Sequence, residues 1–322
     1  MERGKQGLVV MSERVLVVGE ALVDIVHRVD GSVDEHPGGS PLNVAIGLAR
    51  LGHAVDFATR FADDPHGALL RAHLAGERQL RLTPHSGDAR RTSTAAATLD
   101  ATGAATYEFD LTWDVGPAID ASPVAHLHTG SIAATLAPGA TDVLAAVEAA
   151  RATGTVSYDP NVRPTLMGDP AATRAQVERL IAHSDVVKGS DEDVSWLYGG
   201  ADLDVILGRW AALGPALVCA TRGRHGSRTL LPGGQFLDVP AGSATVVDTV
   251  GAGDSFMSGL ISGLWDADLL GSPEARGRLR TACPDDVRAA LERATRCADV
   301  TVSRPGANPP TRAELGLRPP HE

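Results

Sequence analysis

Late in the chain, the run VVDTVGAGDSFMSGLISGLW at 246–265 sets Gly251 and Gly253 around Ala252, follows them with Asp254, and then launches a helix. Phe256, Leu260 and Leu264 recur at i, i+4 and i+8, with Gly259 and Gly263 beside them as small positions for close packing. Glycine lets a ligand approach the main chain, and a helix N-terminus turns N–H groups and a positive end toward an anion. Asp254 adds a carboxylate, whose charged form the same helix end favours. A loop that attracts negative charge while holding a base suits phosphoryl transfer.

A second glycine pair, Gly38 and Gly39, lies in HPGGSPLNVAIGLARLG at 36–52. Ser40 reads as the N-cap of a helix, Pro41 as a first-turn residue, and Gly52 as the stop. Asn43 then falls in the first turn, where its amide offers a sugar hydroxyl both a donor and an acceptor. The sequence carries no G-x-x-x-x-G-K-[ST], and after the first apolar strand it reads GEALVD rather than G-x-G-x-x-G. It also lacks H-E-x-x-H and G-x-S-x-G. The anion site therefore falls to the late glycine loop.

Alternating elements must position these residues. The patterning predicts strands at 15–19, 55–59, 125–128, 155–159, 186–188 and 217–221. It predicts helices at 41–51, 140–153, 171–183, 191–198, 203–213, 254–265 and 285–301. Such alternation argues for an α/β fold with a mostly parallel sheet, helices on both faces, and ligands beyond the carboxyl ends of the strands. Two stretches break the pattern. Residues 22–30 alternate apolar and polar, and 92–110 read as two strands joined by a turn at 100–103. They suit a small antiparallel sheet acting as a lid, with edge strands of the main sheet as the alternative. Residues 269–284 read as a Gly/Pro-rich loop.

Composition narrows the partners. A chain of 322 residues that is 43% hydrophobic fits a globular protein with a full-sized core, in one large α/β domain or two smaller ones. A net charge of −11 argues against nucleic acid or an anionic membrane surface, both of which need a basic face. Only Lys5 and Lys188 are lysines among the 29 basic residues, which singles out Lys188. Three cysteines without metal-ligand spacing point to a reducing cytoplasm. No apolar run approaches the roughly 18 residues of a membrane span. The first residues are too weakly apolar for a signal peptide, and Met11 offers an alternative start. We expect one domain over 12–316, with lid segments at about 22–40 and 92–110 and tails at 1–11 and 317–322.

Paired GGSPLNVAIGLARLG and DTVGAGDSF resemble the two motifs of the ribokinase-like (PfkB) sugar kinases. The likeness extends from VLVVGEALVDIV to TVSRPGANPPTRAEL, and GEALVD, DPNVRP and KGSDEDVSWLYG look most like fructokinases. Kinases of 2-keto-3-deoxygluconate carry a similar set. Ribokinase, a silent sugar-binding regulator and a nucleoside kinase are the other readings. An aromatic content of 4% speaks against a cradle for a base.

The resemblance implies ATP, Mg²⁺ and a monosaccharide as ligands. It implies Asp254 as catalytic base and Gly251, Ala252 and Gly253 as anion hole. Asp24, Gly38, Gly39, Asn43, Asn161 and Arg163 match sugar-binding positions, and Arg90, Arg91 and Arg163 are candidates to face a sugar carboxylate. For Arg163 the bland reading is an ion pair with Asp159. Lys188, Ser190 and Asp193 stand where the family often has K-x-N-x-x-E near the magnesium-bound phosphates, with Asp193 replacing Glu. Thr221, Gly223 and Gly226 match a loop against the nucleotide. A potassium ion beside the anion hole would take oxygens from Asp248 and from carbonyls near Thr301, Arg304 and Gly306. Ala62, in FADDPHG, replaces a common glycine. A homodimer through the lid completes the expectation.

Overall fold

The computed structural model describes residues 12–99, 105–119 and 123–319. Among them, nine strands form one sheet and four form a second. From edge to edge the larger sheet runs β13 (Phe236–Val239), β12 (Ser227–Leu230), β11 (Leu217–Thr221), β10 (Val186–Ser190), β9 (Thr155–Asp159), β8 (Val124–Gly130), β1 (Ser12–Val18), β4 (Val55–Ala58) and β5 (Leu80–Leu82). All neighbours from β5 to β11 are parallel, and β12 and β13 add an antiparallel hairpin.

Strands buried on both faces carry apolar side chains at successive positions. Val15, Val17, Val55, Phe57 and Leu217 face one side, packed with α1 (Ser40–Arg50), α8 (Ala252–Asp266) and α10 (Pro284–Val302). Leu16, Val18, Leu127, Val156 and Val187 face the other, packed with α3 (Gly139–Thr153), α5 (Pro170–Ala182), α6 (Asp191–Tyr198) and α7 (Leu203–Ala212). The small residues of α8 do what their spacing predicts. A Cβ on Gly259 would lie 2.7 Å from Ala294 Cα, and one on Gly263 would lie 2.6 Å from Ala290 Cα. Helices α8 and α10 therefore approach backbone to backbone.

The second sheet runs β3 (Val33–Gly38), β2 (Leu22–His27), β6 (Ser93–Leu99) and β7 (Ala105–Asp110). Its central pair, β2 and β6, is parallel, which departs from the antiparallel sheet the alternation suggests. Two hairpins, β2–β3 and β6–β7, lie side by side in the same direction. Alternation marks which face of a strand is buried, but it does not fix the neighbour's direction. The expected turn at 100–103 lies outside the described residues.

Several pieces escape the periodic signal, the one-turn helix α4 (Pro164–Met167) among them. α2 (Pro65–Leu74) buries Gly67, Leu70 and Leu74 alone, too narrow a stripe to stand out. β5 is three residues long, and β12–β13 is a short hairpin. Within the expected loop at 269–284 lies α9 (Pro273–Leu279), where Ser272 Oγ caps the Ala275 N–H at 3.1 Å and Pro273 fills the first turn.

Candidate active site

The N-termini of α1 and α8 meet at the carboxyl end of the sheet. Asp254 in the first turn of α8 is 8% exposed. Ser40 Oγ donates to its Oδ1 at 2.6 Å, and Asn43 Nδ2 donates to its Oδ2 at 2.8 Å. Ser40 is thus the first residue of α1, with Gly39 at the N-cap and no side-chain cap bond, contrary to the sequence reading. Its hydroxyl gains a short bond to a carboxylate instead, roughly twice the strength of a neutral one. Asn43 reaches Asp254 by the same logic.

Gly251, in the left-handed region at φ 73°, turns the chain into α8. A Cβ there would lie 2.5 Å from Ala307 Cβ, so both backbone shape and space hold this position to glycine. The Ala252 N–H closes the turn on the Thr249 carbonyl at 3.3 Å. Gly253 faces the lysine that the composition singles out: a Cβ on it would lie 3.1 Å from Lys188 Nζ.

Lys188, at 3% exposure, pairs with Asp159 rather than with solvent. Its Nζ lies 2.7 Å from Asp159 Oδ2. This also answers the bland reading of Arg163, since Asp159 serves Lys188. Burial alone would lower the Lys188 pKa, but Asp159, with Asp193 and Asp254, outweighs it and raises it above the ordinary value. Burial pushes the Asp159 carboxyl up to about 6, against the pull of Lys188. Asp159 Oδ1 is buried without a hydrogen-bond partner.

The sugar-side candidates cluster at the base of the smaller sheet. Asp24 stands exposed on β2 and packs on Gly38, where any side chain would collide with its carboxylate. Gly39, at φ 114°, lies so close to the Glu20 carbonyl that no Cβ fits. Desolvation raises the Asp24 pKa, and Arg163 and His36 pull it back. Arg163 Nη1 donates to its own loop, to Asn161 Oδ1 at 2.8 Å and to the carbonyls of Asn161 and Val162 at 3.0 and 3.1 Å. Asn161 sits at φ 39°, and its Nδ2 is buried without a partner. Arg91 pairs with Asp110 and Arg90 is exposed.

Three contributors escape the motif reading: Ser40, Asp159 and Glu20. Glu20, 5% exposed, accepts from the Ala133 N–H at 3.1 Å, and burial pushes its pKa up to about 7 against a bond from Ser131. A carboxylate immediately after an apolar strand is the only signal the sequence holds for it. The Ala62 carbonyl presses on Gly67, while Asp64 ties α2 to Thr92 through bonds of 2.7 and 2.9 Å.

Among the nucleotide-side candidates, Ser190 and Asp193 bond each other as a capping box for α6. Thr221 ends β11, with Gly223 and Gly226 in the turn beyond it at φ 49° and 77°. A Cβ on Gly226 would collide with the Val239 carbonyl. Asp248 accepts from the N–H groups of Val250 at 3.0 Å and Gly306 at 2.8 Å, joining the segments before α8 and after α10. The Thr301 hydroxyl bonds Ser255 Oγ and the Cys297 carbonyl, its own carbonyl accepts from the Arg304 N–H, and the Arg304 side chain pairs with Glu314.

Comparison with known proteins matches residues 12–314 to the pfkB family carbohydrate kinases. A fructokinase of Klebsiella pneumoniae is 37% identical over 262 residues, covering 79% of this chain and 85% of its own. A fructokinase of Escherichia coli is 32% identical over 318 residues, covering 95% and 99%. Among solved structures, the Xylella fastidiosa fructokinase with bound ATP superposes with a TM-score of 0.78 at 26% identity, covering 92% of this chain and 94% of that one. The Vibrio cholerae fructokinase in its fructose, ADP and calcium ion bound form gives 0.75 at 27% identity, with the same coverage.

Proposed function

The chain belongs to the pfkB family of carbohydrate kinases, and we propose that this ATP-dependent sugar kinase acts on fructose, at a primary hydroxyl. One observation carries the reading: Asp254, held by Ser40 and Asn43, shares a buried cluster with the Lys188 ammonium and the turn at 251–253. Each Asp254 oxygen accepts one bond and keeps a further lone pair for the proton of a sugar hydroxyl. As that proton goes to Asp254, the hydroxyl oxygen bonds the γ-phosphorus. The bond to the bridging oxygen breaks, and ADP leaves without a covalent enzyme intermediate. In this reading Lys188 and the N–H groups of Gly251 and Gly253 meet the phosphoryl charge as it develops, the Ala252 N–H being held by the Thr249 carbonyl.

Asp24, Gly38, Gly39, Asn43, Asn161 and Arg163 form the sugar end in this reading. Ser190, Asp193, Thr221, Gly223 and Gly226 lie along the nucleotide end. The charge of the sugar end favours a neutral sugar over an acid sugar: Arg91 is taken by Asp110, and Asp24 and Glu20 both feel Arg163. Closure of the smaller sheet would exclude water, the competing acceptor.

Magnesium enters with the nucleotide in this reading. Among the described residues no group of three or more acidic, His or Cys side chains could hold a metal, which suits an ion held chiefly by phosphates. The unpartnered Asp159 Oδ1 is the protein oxygen that fits it. Bound there, the ion would neutralise charge on the phosphates. Potassium would fit the junction at Asp248, whose carboxylate is a hard oxygen donor between the segments before α8 and after α10. Exposed Tyr107 on β7, stacked on half-buried Phe109, gives one face of the smaller sheet an apolar spot suited to a second copy. Among the described residues no helix is long and apolar enough to cross a membrane. Three free cysteines fit a reducing cytoplasm.

The test is coupled ADP release with ATP–Mg²⁺ across fructose, 2-keto-3-deoxygluconate, ribose, tagatose 6-phosphate and adenosine. Fructose is expected to give the highest kcat/KM, with only slow ADP release when no sugar is present. A faster turnover of the acid sugar, or equal release without sugar, would overturn the assignment.

A further inference from the structure

Asp193 stands where the family often carries Glu, the position that would face metal-bound water. Its carboxylate is otherwise engaged. Oδ1 accepts from the Val162 N–H at 2.7 Å, and Oδ2 accepts from the Ser190 N–H at 2.7 Å. The Asp193 N–H in turn donates to Ser190 Oγ at 3.0 Å. The residue is 7% exposed. Two short charge-assisted bonds on one buried carboxylate fix both oxygens in direction. The side chain folds back on its own helix start, as a capping-box residue does.

The two N–H groups follow two neighbouring strands of the sheet. Ser190 ends β10, the strand that delivers Lys188. Val162 lies between Asn161 and Arg163 in the loop after β9, the strand that delivers Asp159. Arg163 wraps the same loop through its bonds to the Asn161 and Val162 carbonyls. The Val162 N–H bond therefore ties loop 160–163 to Asp193, while Arg163 stiffens the loop from within.

We propose that Asp193 is a positioning residue that brackets the sugar-side loop 160–163 to the nucleotide-side strand end, so that sugar affinity depends on it even without nucleotide or divalent ion. The proposal rests on the reading of Asn161 and Arg163 as the sugar end. Substituting Asp193→Asn keeps the shape but turns an NH₂ group toward one of the two N–H donors. Substituting Asp193→Glu restores the residue type common in the family, yet its extra methylene carries the carboxylate past the point where Asp193 meets both donors.

Isothermal titration of fructose into the free enzyme, without ATP or divalent ion, tests this directly, together with the Mg²⁺ dependence of turnover. D193N is expected to weaken fructose binding about tenfold or more, the usual cost of losing one charge-assisted bond. D193E is expected to weaken it in the same direction. The Mg²⁺ concentration for half-maximal rate should stay within about twofold for both. Arg163→Ala is the control for the underlying reading: unchanged fructose binding there would mean the sugar end is misassigned. Weak binding in R163A with wild-type binding in D193N would overturn the bracket alone, as would a D193N enzyme that simply needs far more Mg²⁺. Each variant is melted in parallel. If D193N does not fold, D193E decides. If both unfold below assay temperature, Asp193 serves stability only and the proposal fails. Should free wild-type enzyme bind fructose too weakly to titrate, KM for fructose at saturating ATP replaces the affinity, with the same expected changes.

Discussion

His126, His128, Thr155 and Ser157 bond one another on the same sheet face that, nearer its carboxyl edge, carries Asp159 and Lys188. His126 joins Thr155 Oγ1 and Ser157 Oγ, each at 2.8 Å, and His128 reaches Ser157 Oγ at 3.0 Å. Thr155 Oγ1 also accepts from the Gly271 N–H at 3.0 Å. Burial holds both imidazoles neutral, with pKa values lowered to about 3. Two residues along β9, the character reverses. Asp159 and Lys188 form an ion pair near Asp193 and Asp254, and Asp159 Oδ1 lacks a partner. The same strands thus carry a neutral, bonded plug under the middle of the sheet and a charged, incompletely bonded cluster at the edge where ligands arrive. A closed network suits stability, and an open charged one suits a ligand.

The sharpest way to break this contrast is to substitute one strand position in each cluster. Asp159→Asn leaves Lys188 buried without its counter-ion, a loss of about 3–5 kcal/mol for a broken buried pair. Ser157→Ala strips neutral imidazoles of a partner and should cost about 1–3 kcal/mol. Urea unfolding of both variants measures the difference, and equal losses would erase the distinction.

Next in size is pH. His126 and His128 have folded values near 3 against an ordinary 6.5, so the unfolded chain binds the extra protons in that window. Their contribution is intact above 6.5 and lost as pH falls toward 3. Glu20 runs the other way. Its folded value of about 7 against 4.5 makes its contribution full below 4.5 and lost as pH rises through 7. Two imidazoles outweigh one carboxyl up to pH 6.5, so stability should peak near there, and Glu20→Gln should raise the upper limb, from 4.5 to about 7, by up to ~3 kcal/mol. Denaturant midpoints between pH 4 and 9 test this (a range of about five units). An unaltered upper limb in E20Q would remove Glu20 from the account.

The smallest effects separate two glycines of α8. Gly259→Ala drives a methyl into the α10 backbone and should cost ~1–3 kcal/mol, with KM for ATP unmoved. Gly253→Ala meets only the terminal ammonium of Lys188, at 3.1 Å, rather than a backbone atom. It should leave the melting temperature nearly unchanged while raising KM for ATP about tenfold. Parallel melts and steady-state kinetics distinguish the two.

What the sequence made legible follows what side chains announce locally. Strands 155–159 and 217–221 and the helix at 191–198 coincide with the structure because β-branched runs and apolar stripes are local signals. The glycines at 251 and 253 declare a turn at a helix start. The parallel β2–β6 pair and the hairpin β12–β13 depend on distant neighbours, which periodicity does not encode. The same holds in the site. Asp254 is evident from its motif, but its partners come from α1, some 210 positions away: Asn43 is 211 residues distant and Ser40 is 214. A serine after two glycines looks like a cap until a buried carboxylate claims its hydroxyl. Lys188 stands out through the scarcity of lysine, yet its partner Asp159 is fixed only by the alignment of two strands.

The central claim is that Asp254 takes the hydroxyl proton in a cluster already assembled by Ser40, Asn43 and Lys188. Its most direct test is ADP release with saturating ATP–Mg²⁺ and fructose, comparing wild type with Asp254→Asn at matched melting temperature and matched fructose affinity. The account predicts a fall in kcat of ~10²–10⁴ with sugar binding retained. A D254N enzyme that turns over within a few-fold of wild type would contradict it.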